Sequence, residues 1–195
     1  MIPRIGAGCA LLMLGGTAAA HSGTGLAGGF GPGFAHPFTG VDHLLAMMSV
    51  GLWGAFLGPP LLQTLPVIFP GMMVGGAVLA MLRVPLPPVE LGIALSVLVL
   101  GACIALRLQS PVWLATAIVA FFGIFHGYAH GKELPSAADP VGYSAGFVLA
   151  TGLLHVTGIG LGFLSDRPGG AALIRGAGGI IAALGVWFSY VALRP

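Results

Sequence analysis

Apolar residues fill long, nearly uninterrupted blocks of this chain, and polar residues collect in the short gaps between them. Six blocks approach the roughly 20 residues that a helix needs to cross a bilayer: 41–58, 61–82, 89–107, 111–130, 141–164 and 173–193. The gaps carry turn chemistry, as in Gly58-Pro59-Pro60, Pro85-Leu86-Pro87-Pro88, Ser110-Pro111, Pro135 to Pro140 and Asp166-Arg167-Pro168-Gly169-Gly170. None is long enough for a second domain. The pattern predicts an all-α integral membrane protein of six transmembrane helices.

Ahead of the first block, Arg4, the apolar run Cys9 to Gly16 and the small residues Thr17-Ala18-Ala19-Ala20 read as a cleaved secretory signal peptide, residues 1–20. Residues 21–195 then form a single transmembrane domain, with His21 as the mature N-terminus. Signal cleavage places that terminus outside a bacterial cytoplasmic (inner) membrane, with spans 1, 3 and 5 running inward. The positive-inside rule does not test this, because Arg107, Arg167 and Arg175 on the inner side balance Arg83, Lys132 and Arg194 on the outer. Two features bear on packing. Pro66 and Phe69-Pro70-Gly71 predict a broken helix in span 2, and Gly123, Gly127 and Gly131, four residues apart, predict close contact of span 4 with a neighbour.

Composition sharpens the picture by exclusion. With 57% hydrophobic residues, 6% charged and a mean hydropathy of +1.03, the chain lacks the polar surface of a water-soluble globule. The formal charge of +2 is scattered singly, so nucleic acid is not a partner. Signal removal leaves Cys103 alone, and no internal disulfide can form.

Ionisable groups within a bilayer cost about 2.5–3.5 kcal/mol on insertion scales and mark function. Six histidines outnumber five acidic residues here. His36, Asp42, His43, Glu90, His126, His130 and Glu133 all fall near the outer ends of their spans. The first group, His36 with Asp42 and His43, offers donors suited to first-row divalent ions. On a straight helix the two histidines would stand about 10.5 Å apart, so either the segment bends, as Pro37 and Gly40 favour, or there are two sites. The alternative makes Asp42 an N-cap and the histidines interfacial side chains. The second group, His126, His130 and Glu133, shares one helix stripe; the alternative is an interfacial histidine pair beside a solvated carboxylate. Glu90 sits in a first turn, where the helix dipole alone favours a carboxylate. His155, deeper in span 5, is either an inner ligand or a buried histidine bonded to a carbonyl. Phe69 is either packing or the wall of a constriction. His21 would join an α-amine and an imidazole in one chelating residue, unless the terminus is simply disordered.

The strings HPFTGVDHLLAMMSVGLWGA in span 1, FHGYAHGKELP at the end of span 4 and GFVLATGLLHVTG in span 5, behind a signal peptide and a histidine, resemble the HupE/UreJ family of hydrogenase- and urease-associated nickel permeases. The resemblance covers essentially the whole chain. It implies a six-span, ATP-independent importer of nickel, or in some members cobalt, with His36, Asp42, His43, His130 and Glu133 at functional positions and Phe69 and Glu90 on the transport path. No prosthetic group is expected, and the partners are the transported ion and the lipid bilayer. The oligomeric state is open, a homo-oligomer included. No Walker-type phosphate loop is present. Two other classes fit the donor residues: an intramembrane zinc hydrolase and a metal-binding accessory or sensor that does not transport.

Overall fold

A computed structural model describes residues 29–134 and 139–194. The expected signal peptide, residues 1–20, and His21 lie outside the described residues. Within them every regular element is helical: α1 (Phe30–Thr39), α2 (Val41–Leu57), α3 (Leu61–Met81), α4 (Val89–Ala105), α5 (Val112–Glu133), α6 (Pro140–Gly162), a 3-10 turn (Phe163–Asp166) and α7 (Gly170–Ala192).

The punctuation is local chemistry. Gly40, in extended conformation at φ −93° and ψ 111°, ends α1 and starts α2, and the two helices meet at 86°. Gly58 stops α2 at φ +72°, a left-handed value that glycine adopts without strain, and its N–H bonds to the Gly54 carbonyl. At the start of α6 the Asp139 carboxylate accepts the Gly142 N–H at 2.9 Å, with Pro140 at the first helical position.

Among the described residues, α3, α5, α6 with its 3-10 turn, and α7 are each long and apolar enough to cross a membrane, and the bent α1–α2 pair makes a fifth crossing if counted as one. Helix α4 has 17 residues, about 25 Å of rise. It is apolar and enclosed, with Ile93, Val97 and Leu100 fully buried.

Two expectations change. The break in span 2 does not occur: α3 is helical through Pro66 and Pro70. Each proline removes one intrahelical donor, but packing against neighbouring helices can hold such a segment together. A helix also forms at α1, where the sequence reads as glycine and proline. Pro32 falls in the first turn, where its missing N–H costs nothing.

Without a hydrophobic drive between helices in lipid, close backbone approach supplies the packing. Helix α3 lies on α5 so closely that a Cβ on Gly127 would overlap the Met73 carbonyl and one on Gly76 the Ile124 carbonyl. The glycine stripe of span 4 therefore faces α3. Helices α2 and α6 meet in the same way at Gly51 and Gly158, and α1 meets α6 at Gly33 and Gly146. Helix α4 packs on α7 and α2. At the end holding the C-termini of α2 and α4, the Arg107 guanidinium lies 5.0 Å from the Phe56 ring centroid, and Arg175 donates to the Ala105 carbonyl at 3.0 Å.

Candidate metal centre

The 86° bend at Gly40 turns α1 back across the start of α2. His36, late in α1, and His43, in the first turn of α2, consequently pack on the same ring: His130 lies 4.8 Å from each, centroid to centroid. A Cβ on Gly40 would sit 3.1 Å from Asp42 Oδ1 and 3.3 Å from His43 Nδ1, tighter than ordinary contact, so a larger residue here would push on the Asp42–His43 pair. Asp42 is the second residue of α2 and not its N-cap, which is Gly40.

Helix α5 runs one turn beyond the expected boundary at 130 and carries His126, His130 and Glu133. Glu133 Oε2 is 3.8 Å from His36 Nε2 and 3.7 Å from His130 Nδ1. Donor atoms of these three residues all lie within 4.8 Å of one another. Neighbouring ligands bound at about 2.1 Å stand about 3 Å apart on one ion, so small side-chain rotations close the triad. One turn deeper, the His43 and His126 rings meet at 4.8 Å. His43 and His126 are almost fully buried among these helices.

Hydrogen bonding sets which nitrogen each imidazole presents. His126 Nδ1 is 3.0 Å from the Phe122 carbonyl oxygen, and His155 Nδ1 is 2.7 Å from that of Met47. A carbonyl only accepts, so both Nδ1–H groups donate and Nε2 keeps the lone pair. Asp42 Oδ1 accepts the His43 backbone N–H at 2.8 Å and lies 3.0 Å from His43 Nδ1; an ionised carboxylate fixes the same tautomer. Orientation of a metal-binding imidazole through its other nitrogen is the usual outer support of a metal site. With neutral imidazoles, Asp42 and Glu133 give the cluster a formal charge of −2, the complement of one divalent cation.

Other expected site residues stand apart from this triad. The Phe69 ring, fully buried, lies 5.2 Å from His126 and 5.6 Å from His155, so it packs against both imidazoles. Glu90 is exposed in the first turn of α4. The next turn, through Ile93, packs on Phe125 and Ala129, at the same end of the bundle as His130. Residues that sequence reading missed are on α6: Tyr143 and Phe147 each lie 6.0 Å from His36, and Phe147 lies 4.4 Å from His130. A cavity of about 100 Å³ between α3, α5 and α6 reaches His130 and is lined by Met73, Gly127, Tyr143, Phe147 and Thr151 among others.

Residues 9–188 match the family described as HupE / UreJ protein. The chain is also 43% identical over 167 residues to Protein HupE of Rhizobium leguminosarum bv. viciae, an alignment covering 85% of this chain and 87% of that relative. No solved structure matches.

Proposed function

Because this chain belongs to the HupE/UreJ family, we propose that it is an ATP-independent permease that imports a divalent transition metal ion, nickel before cobalt, for hydrogenase or urease maturation. In this reading α1–α2, α3, α4, α5, α6 and α7 form six spans in the bacterial inner membrane. The mature N-terminus and the histidine cluster face outward.

The observation that carries the reading is the donor set. His36, His43, His126 and His130 converge with Asp42 and Glu133 from α1, α2 and α5. Imidazole suits nickel among the first-row ions. Capture begins at His36, His130 and Glu133, with His21 gathering ions ahead of them. The ion then sheds water as it meets His43 and His126, whose Nε2 lone pairs are already oriented, so the energy lost on dehydration is offset by fixed ligands. Ligands held at separations of 3.7 and 3.8 Å are not closed on the ion beforehand, which favours moderate affinity and release, as passage requires. Glu90, at the same end of the bundle, adds a carboxylate at the approach.

The test is uptake of radioactive nickel into metal-depleted cells expressing the protein, beside Asp42→Ala and His43→Ala variants shown to reach the membrane, with cobalt as competitor. Accumulation lost in both variants supports the permease. Wild-type protein that reaches the membrane and accumulates neither metal refutes it.

A further inference from the structure

Helix α6 carries Tyr143, Phe147, Thr151 and His155 at four-residue intervals, all buried, so they form one stripe along a single face. The stripe spans about 18 Å of helix. Its outer half, Tyr143 and Phe147, borders His36 and His130. Its inner half ends at His155, whose ring packs on Phe69.

Three polar atoms on this face, Tyr143 Oη, Thr151 Oγ1 and His155 Nε2, are buried with no hydrogen-bond partner among the described residues. Buried polar atoms are normally paired, and a row of exceptions on one helix face calls for an explanation. For His155 the missing partner is sharply defined. Its Nδ1–H is committed to the Met47 carbonyl, so Nε2 is an oriented acceptor that a cation or a donor must satisfy. Thr151, one turn away on the same face, lines the cavity that reaches His130 and contributes a hydroxyl oxygen.

We propose that His155 Nε2 and Thr151 Oγ1 form a second, inner binding station for a partly hydrated divalent metal ion, joined to the outer cluster through the cavity that Thr151 and His130 both line, with the Phe69 ring packed on His126 and His155 beside it. This deepens the permease reading and rests on it. Two protein ligands with the rest of the shell left as water make a weak station, suited to an ion in passage. Phe69, in contact with both His126 and His155, then holds the innermost imidazole of each station in place.

Asparagine separates coordination from packing, because His155→Asn keeps an N–H for the Met47 carbonyl and removes the imidazole lone pair. Nickel bound by the purified full-length protein is measured by equilibrium dialysis up to millimolar nickel, alongside uptake in cells. The expected result is one ion fewer at saturation in His155→Asn, outer-site affinity within about twofold of wild type, and uptake reduced at least tenfold. Equal stoichiometry overturns the station whatever the uptake does. A stoichiometric difference without uptake in wild type would leave the station standing as a binding site and refute the permease. Should His155→Asn fail to reach the membrane, Thr151→Val carries the test: at least threefold weaker binding of the second ion is expected, and unchanged affinity overturns the proposal.

Discussion

Replacing Gly131 by alanine tests the backbone contact that holds α5 against α3. A Cβ built on Gly131 falls 2.6 Å from Ala77 Cα and 2.9 Å from Ala80 Cβ, where ordinary contact begins at 3.4 Å. The helices must therefore part by about 0.8 Å, the difference between 3.4 and 2.6 Å, because neither Ala77 nor Ala80 has a side chain that can rotate away. Overpacking of this kind costs about 1–3 kcal/mol. Alanine in place of helical glycine returns up to about 1 kcal/mol, so the fair control is Gly75→Ala on α3, where a Cβ meets nothing within 4 Å. Thermal unfolding of the purified protein in detergent should separate the two variants by roughly 2–12 °C, at roughly 2–4 °C per kcal/mol for a chain of this length. Gly131→Ala should be the less stable. Coincident unfolding temperatures would refute the argument, since they would mean that the two helices do not approach as described.

Three other outcomes follow from the site and the helix ends. Asp42→Asn removes the charge that fixes the His43 ring, so nickel affinity by isothermal titration should fall about 10–100-fold with little change in unfolding temperature; unchanged affinity would show that the carboxylate does not support the ligand. Glu133→Gln removes one of the two carboxylate charges of the cluster and the oxygen nearest two imidazoles; nickel affinity should fall at least about tenfold, and an undiminished affinity would refute Glu133 as a ligand. Arg83 holds a left-handed φ of 59° just past α3, so Arg83→Gly should relieve about 1 kcal/mol of strain and raise the unfolding temperature by a few degrees, whereas a lowered one would mean the arginine side chain contributes more than its backbone costs.

The long apolar runs were legible because a bilayer imposes length and hydrophobicity directly: the blocks 61–82 and 141–164 became α3 and α6 almost residue for residue. The boundary at 130 was drawn short because apolarity stops marking a helix where its last turn carries the chemistry of His130, Lys132 and Glu133. Helix α1 lies ahead of the first apolar block at 41, in a segment that contains Gly31, Pro32, Gly33 and Pro37. Their cost falls where Pro32 needs no donor and where Gly33 meets the backbone of α6. The bend between His36 and His43 was one of two readings left open, and the geometry at Gly40 decides between them. Tyr143 and Phe147 escaped notice because an aromatic residue within an apolar span carries no signal until its neighbours are known.

Backbone contacts through glycine sort the helices around the histidines into two packets, α3 with α5 and α6 with α1 and α2. His126, His130, Glu133 and Phe69 belong to the first; His36, Asp42, His43 and His155 belong to the second. The donor set thus straddles a seam crossed by ring-against-ring histidine contacts and by the approach of Glu133 to His36. An ion that satisfies donors from both packets ties them together, and its departure removes the tie. Since binding stabilises whichever arrangement it favours, an ion held as proposed would be cargo and clasp at once, and the seam would close on it and loosen without it.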